Sequence, residues 1–433
     1  MGRRLKIKKF PLCTKSAIME NSVKIIYNIS HYAQKTCAEM RINMESLVGR
    51  SQNVAAIIER KKKNKKAFFI SAGIIILAAV LLGAIYNYYI NIKYNGYKIE
   101  ERSSIKNKNS ASYASYNDYI LKYSKDGIVA MDASGKELWN GSYDMASSAI
   151  DICGEYVVVA DVGEKNFIVY NGDDSGKEIT TDYPIVQAEV SKQGVVAVLL
   201  EESSSNVIRI YNPYDVQNKL LAEIPTNIDD GYPVSIDISD DGVNVAAVFV
   251  SVNDSKIQSR VAFYDFSDVG KNSNFLVGAQ VYNDKLISEV KYLNDNDGYC
   301  VWTNLRQPKV KFQKKYGTSI KSAFYNSKYI GVILDADDGN KNELEVFELS
   351  GKRKLKIELS EQYKQVQLND NNEIMLNSDS KCVIYKMNGI KKFSSDIKGK
   401  VEYFYASGDN KCYYLILENE IQKIKLKKIK KRG

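Results

Sequence analysis

The chain has 433 residues, 44% hydrophobic and 26% charged, with only 6 Pro but 31 Tyr and 13 Phe. That composition is globular rather than disordered or collagen-like, and its aromatic content suits half-buried strands. The net charge of +9 sits at the ends: residues 1–66 hold 16 Lys/Arg against 4 Asp/Glu, residues 421–433 hold seven Lys/Arg and no acid, and 67–420 sums to about −10. Nucleic-acid binding needs a basic face on the folded domain; an acidic body offers none, so no nucleic-acid partner is expected.

Residues 1–66 show no strong periodicity. They read as a basic tail, disordered or weakly helical, drawn to anionic lipid; a docking site for a cytoplasmic partner is the sharper alternative. Met44 precedes the segment "ESLVGRSQNVAAIIERKKKNKK", so the start of translation could lie there rather than at Met1.

The next element is "AFFISAGIIILAAVLLGAIYNYYI", Ala67 to Ile90, without a charge, and the uncharged run continues to Ile92. About 20 helical residues cross a hydrocarbon core of about 30 Å, so 67–92 is expected to be a transmembrane helix. Tyr86, Tyr88 and Tyr89 gather at its far end, where amphipathic rings favour the interface. The run is too long for a signal peptide and no small-residue cleavage site follows it. Six basic residues in "ERKKKNKK", Glu59 to Lys66, directly precede the span. Such a flank stays on the cytoplasmic side, which predicts an N-terminus inside and a C-terminal body outside the cell membrane.

Residues 93–117 are polar and rich in Ser and Asn, the composition of a linker. From 118 a cadence recurs: an apolar strand, a small turn, a very apolar strand, then a third strand ending in an apolar or aromatic residue. The clearest copies begin at Ser148, Ile185, Val234, Ser322, Val366 and Val401; a weaker one covers 286–304, with "KVKFQ" as its third strand. The third strands end at Met131, Tyr170, Tyr211, Tyr264, Phe312, Phe347, Tyr385 and Leu426, a mean step of about 42 residues, which is the period of a propeller blade. The expected fold is therefore all-β: a seven- or eight-bladed β-propeller over 118–428, preceded by one transmembrane helix and a basic N-terminal tail, with residues 429–433 as a basic end. The eight third strands favour eight blades. The first unit lacks an inner strand and the last an outer one, so strands from the two ends of the domain should combine to close the ring. Closure removes exposed sheet edges.

The catalytic inventory is thin. The single histidine, His31, lies before the span, so the body can hold neither a Ser-His-Asp triad nor a His-ligated metal. Cys13, Cys37, Cys153, Cys300, Cys382 and Cys412 have no zinc-ligand spacing; buried thiols are expected, with a Cys382–Cys412 bridge as an alternative. The acids of "NGDDSG" (171–176), "SDDG" (239–242), "NDNDG" (294–298) and "DADDGN" (335–340) stand beside Asn and Gly, the composition of tight turns. None matches a calcium loop, which needs alternate oxygens and a final bidentate Glu. The basic C-terminal "IQKIKLKKIKKRG" fits a strand through Leu426 and then a solvated end that protects an edge, or a contact with lipid headgroups or wall polymer.

The stretch "DGIVAMDASGKELWN" resembles the repeat of quinoprotein-type propellers: strand, Asp at a turn, Gly-Lys, strand, Trp. The quinoprotein resemblance implies a pair of adjacent cysteines and a clustered calcium site for catalysis, and this chain has no Cys-Cys. Its Trp residues are Trp139 and Trp302, and Gly135 and Trp139 are expected to serve a turn and the packing between blades. The layout of basic tail, span and external propeller resembles a family of uncharacterised membrane-anchored propeller proteins of Gram-positive anaerobes. No catalytic, cofactor-binding or metal residue is therefore assigned. The expected function is a non-catalytic binding or scaffolding platform at the cell envelope. Its expected partners are the bilayer and an envelope protein or anionic wall polymer. A carboxylate-based cell-wall glycan hydrolase and a transmembrane ligand sensor are the alternatives.

Overall fold

The long uncharged run and its basic approach form one continuous helix, Val54–Ile90, in the computed structural model. The structure describes residues 28, 30–36 and 38, then 54–428 apart from 106–110, 118, 133, 173–174, 204, 227–229, 254–255, 268–269, 271–274, 285, 293–297, 300–319, 335–341, 370 and 407–411. Residues 28, 30–36 and 38 are helical. The helix thus begins well inside the stretch assigned to the tail and ends at Ile90 rather than Ile92. Its window Phe68–Tyr88 has a mean hydropathy of 2.7 and is 0% buried. Twenty-one residues at 1.5 Å each extend about 31 Å. The helix is long and apolar enough to cross a bilayer.

From Gly96 onward the named elements among the described residues are all strands. Blade 1 runs outward from the ring centre as β2 (Ser112–Tyr116), β3 (Tyr119–Ser124), β4 (Gly127–Met131) and β5 (Glu137–Ser142). Blade 2 is β6 (Ser148–Cys153), β7 (Tyr156–Asp161), β8 (Asn166–Tyr170) and β9 (Lys177–Thr180). Blade 3 is β10 (Ile185–Val190), β11 (Val196–Glu201), β12 (Asn206–Tyr211) and β13 (Leu220–Pro225). Blade 4 is β14 (Tyr232–Ile238), β15 (Asn244–Asn253), β16 (Lys256–Asp265) and β17 (Leu276–Asn283). A two-stranded ladder follows, β18 (Lys291–Tyr292) with β19 (Gly298–Tyr299). Blade 5 is β20 (Ile320–Tyr325), β21 (Tyr329–Leu334), β22 (Asn342–Glu348) and β23 (Arg353–Leu359). Blade 6 is β24 (Gln365–Leu368), β25 (Glu373–Asn377), β26 (Lys381–Lys386) and β27 (Lys391–Asp396). Blade 7 takes β28 (Val401–Ala406), β29 (Cys412–Leu417) and β30 (Glu420–Lys427) from the end of the chain and its outer strand, β1 (Gly96–Ser104), from the beginning.

Among the described residues there are thus seven four-stranded blades, and the preference for eight is corrected to seven. Seven of the eight tracked residues, from Met131 to Leu426, lie at or one residue before the end of a third strand. The eighth, Phe312, and the "KVKFQ" strand lie outside the described residues, and the weaker copy contributes the ladder β18–β19. The stretch 93–117 is not a linker. It supplies β1 and β2, and the propeller begins at Gly96 instead of 118. Its polarity misled because β1 is an outer strand with one wet face, while β2, "SYASY", buries only Tyr113 and Tyr116. Closure proceeds as expected from the missing strands: β1 pairs antiparallel with β30, Gly96 opposite Lys427 and Ser104 opposite Glu420.

The cadence has a packing reason. Second strands are covered on both faces, so β11 "VAVLLE" and β29 "CYYLIL" are buried almost throughout. Outer strands such as β9 "KEIT" bury only one side chain. The apolar clusters straddle neighbours: Tyr116, Ile128 and Trp139 of blade 1 pack with Val157 and Tyr170 of blade 2. Tyr113 and Ile120 of blade 1 pack with Tyr403, Tyr405 and Tyr414 of blade 7, which seals the ring. Most blades share their core with a neighbour, while the far face of blade 4 packs on Ile287, Val290 and Tyr292 of the ladder segment.

The stretch "DGIVAMDASGKELWN" behaves as its sequence implied. Asp132 Oδ1 accepts the Ser134 and Lys136 N–H groups at 2.8 and 3.0 Å, and Gly135 has φ +79°, a left-handed turn position suited to Gly. Trp139 stacks on Tyr170 of blade 2 at 5.4 Å and meets Tyr116 edge-on at 5.8 Å. Beside it, a Cβ on Gly141 would lie 2.3 Å from the Tyr170 hydroxyl, so this interface has no room for a methyl group.

Candidate functional site

The turn acids are turn acids where they are described. In "SDDG", Asp241 Oδ1 accepts the Ser239 hydroxyl at 2.5 Å and the Val243 N–H at 3.0 Å, and Gly242 has φ +74°. In "NGDDSG", Gly172 and Gly176 have positive φ, and Asp173 and Asp174 lie outside the described residues. So do residues 294–297 and 335–340, Trp302, Cys13, Cys37 and Cys300. His31 is exposed on a helical stretch. Cys382 and Cys412 are buried thiols and form no bridge. Burial and the neighbouring Asp240 carboxylate push the Cys153 thiol up, making it a poor nucleophile. Among the described residues, no group of three or more His, Cys, Asp or Glu is placed to hold a metal ion.

The charged cluster of the propeller lies elsewhere, on the inner strands. Asp151 of β6, Glu189 of β10 and Asp237 of β14 come from three successive blades and converge on Lys291 of β18. Lys291 Nζ donates to Glu189 Oε2 and, at 3.1 Å, to Asp237 Oδ1. Each Asp also clasps the next unit through its backbone: the Val190 N–H donates to Asp151 Oδ2 at 2.8 Å, and the Tyr292 N–H to Asp237 Oδ2. Gln187 Nε2 donates to Glu189 Oε1 at 2.5 Å and its Oε1 accepts the Ile236 N–H at 3.0 Å, tying blade 3 to blade 4. Two serines extend the seam, Ser259 Oγ accepting the Ile287 N–H at 3.0 Å and Ser235 Oγ accepting the Val290 N–H at 3.2 Å. The ladder segment is therefore docked on blade 4 by side-chain acceptors as well as by the packing of Ile287, Val290 and Tyr292.

Three acids face one base here. Burial, then the charge of Glu189, raises Asp151 to about 7; burial raises Glu189 to about 7 and Asp237 to about 6, against the pull of Lys291. Burial alone would lower Lys291, but Asp237, Glu189 and Asp151 together hold it well above its ordinary value. Burial also pushes up the Tyr325 hydroxyl of β20, which borders the cluster. The arrangement holds protons near neutrality, the property required of a general acid or base. Every one of the three carboxylates is nevertheless engaged, in two cases by the backbone of a neighbouring unit.

A second buried group joins blades 6 and 7. Lys392 Nζ lies 2.5 Å from Glu373 Oε1 and 2.6 Å from the Tyr413 hydroxyl, which donates to Glu373 Oε2 at 2.8 Å. Lys392 and Glu373 are each 6% exposed and Tyr413 is 0% exposed. The Glu373 N–H donates to Asn369 Oδ1 at 2.8 Å, which fixes the strand that carries the acid. At the surface, an open groove of about 630 Å³ runs between blades 1 and 2, lined by Lys125, Asp144, Asp161, Glu164 and Lys165. Asp161 is committed to the Ala146 and Ser147 N–H groups at 3.2 and 2.8 Å.

The acids beside glycines stand out in the sequence, and the converging ones do not. A signal existed: "AIDIC", "QAEVS" and "SIDIS" place one acid between apolar neighbours at the same point of three successive inner strands, and "EVKYL" places Lys there in the next. A lone charge repeated at a buried strand position implies a partner across the repeat.

Several solved propellers resemble the chain in fold. A eukaryotic initiation factor is 12% identical, with a TM-score of 0.46 over 72% of this chain and 83% of that one. The WD40 domain of Neurospora crassa Pan2 is 11% identical, with a TM-score of 0.45 over 78% and 98%. Streptogramin B lyase is 11% identical, with a TM-score of 0.41 over 76% and 98%. At those scores the likenesses carry no argument about activity or partners. No curated protein matches the chain. The family model that does match spans residues 90–426, all seven blades and little else, and by that match the chain belongs to a family of unknown function, DUF5711.

Proposed function

We propose that the protein is a single-pass membrane protein that presents its propeller outside the cell as a non-catalytic binding platform. One observation carries this reading: a 21-residue window with mean hydropathy 2.7, none of it buried against protein, stands on the same chain as a closed ring of blades. A soluble protein would leave Phe69, Ile74, Leu77 and Leu81 in water at large cost. The six basic residues before the window support a cytoplasmic N-terminus. Propeller loops and inter-blade grooves, such as the one between blades 1 and 2, vary without disturbing the blade cores and are the natural binding surface. The partner class this suits is an envelope protein or an anionic wall polymer.

A carboxylate-based glycan hydrolase is the second reading, favoured by the convergence of Asp151, Glu189 and Asp237, since glycoside hydrolysis needs paired acids. The engagement of all three in bonds between blades weighs against it. Crosslinking in living source cells, followed by mass spectrometry, separates the two. The platform reading expects one recurrent envelope partner, with the purified chain leaving wall glycan intact. Soluble glycan fragments released by the purified chain, and not by its Glu189→Gln variant, would replace the platform with the enzyme. Recovery of no recurrent partner would count against the platform.

A further inference from the structure

We propose that the exposed face of the β1–β30 ladder docks on anionic lipid headgroups of the membrane in which the helix sits; this rests on the reading of that helix as a membrane span. Strand alternation places Lys423, Lys425 and Lys427 on one face of β30, while Ile424 and Leu426 point into the core. Lys98 stands directly opposite Lys425 in the register, and Gly96 opposite Lys427. Two like charges facing each other across a ladder are unfavourable unless an anion answers them. Within the chain the answer is weak: Lys425 lies 3.8 Å from Glu100 and Lys423 lies 3.4 Å from Glu101, both at the surface. Lys427 and Lys428 extend the stripe and are exposed, and the sequence continues with Lys430, Lys431 and Arg432.

Covalent reach limits how far the start of this ladder can lie from the end of the helix. The helix ends at Ile90. Four residues later the Tyr94 N–H donates to the Lys392 carbonyl at 2.7 Å, and Tyr97 packs edge-on against Phe393 at 6.5 Å. At no more than about 3.6 Å per residue, Tyr94 lies within about 14 Å of the helix end and Gly96 within about 22 Å. Lys93 and Lys391 are exposed beside this anchor point. The tether is short enough for the basic ladder face to reach the headgroups, and within a Debye length of an anionic surface each lysine is worth about a fivefold gain in association. A wall polymer has the same charge but no such tether, so the lipid surface is the occupant the geometry favours.

The test uses the full chain in nanodiscs of phosphatidylcholine alone or with phosphatidylglycerol, with acetylation rates of individual lysines read by mass spectrometry. Labelling of Lys98, Lys425 and Lys427 should slow at least about threefold in the anionic discs and recover in high salt, while Lys256 on blade 4 keeps its rate. In the Lys98→Gln/Lys425→Gln/Lys427→Gln variant, Lys428 and Lys391 should label alike in both discs. Equal rates in the two discs, with the chain inserted, would overturn the docking and leave the span intact. Failure of the chain to enter either disc would remove both. Protection that appears only when soluble poly(glycerol phosphate) is added to neutral discs would assign the stripe to a wall polymer and overturn the lipid proposal.

Discussion

Lys291→Met is expected to lower the free energy of unfolding by about 3–5 kcal/mol at pH 8, the usual cost of leaving buried charge without its partner, and by much less at pH 5. The reason lies in the three acids. Ordinary carboxylates titrate near 4 in an unfolded chain, whereas Asp151 and Glu189 sit at about 7 and Asp237 at about 6 in the folded protein. Between those limits the folded state binds more protons, so the cluster's contribution to stability is present below about pH 4 and is lost as pH rises through 6 and 7. Lys291, raised well above its ordinary value, stays charged across that range and offsets the repulsion. Without it, the acids must either repel one another or take up protons, and only low pH allows the second. Denaturant unfolding of the variant and the parent at pH 5 and pH 8 measures the difference. An equal loss at both pH values would show that Lys291 acts by packing alone.

Lys392→Met should cost about 3–5 kcal/mol as well, because Glu373 is left in the interior without its cation, bonded to the neutral Tyr413 hydroxyl and Asn369 amide. The partner change distinguishes charge from fit. Lys392→Met/Glu373→Leu removes both charges, and a buried pair replaced by apolar groups of similar volume is often neutral or better. The double variant should therefore recover most of the loss, a coupling of at least about 2 kcal/mol in the double-mutant cycle. Additive losses would mean that the two charges do not depend on each other. The position between blades 6 and 7 gives this pair a structural role beside the seam through which β1 closes the ring.

Much of the architecture was legible because a propeller repeats. Seven of the eight apolar or aromatic marks spaced at a mean step near 42 residues fall where third strands end, and the step from Tyr264 to Phe347 spans two such intervals. The missing inner strand of the first unit and the missing outer strand of the last were also visible as an imbalance, and β1 on β30 resolves it. What could not be read was where those strands would come from. "GYKIEERSS" is polar because an outer strand has a solvated face, and local composition does not separate that from a linker. The preference for eight blades over seven failed for a related reason: the copy near 286–304 has the pattern of a unit, but its described residues form a ladder of two short strands. At the candidate site, the turn acids drew attention through their glycines. The acids that converge carry no local motif at all. Asp151, Glu189 and Asp237 are brought together only by the packing of three successive blades, so the information lies in the alignment of repeats rather than in any one of them.

Protease added to intact source cells distinguishes an external ring from an internal one. With the ring outside, the blades are digested while the first sixty or so residues survive, joined to the membrane by Phe68–Tyr88. Blades that resist protease until the cells are lysed would place the ring inside and overturn the proposed topology.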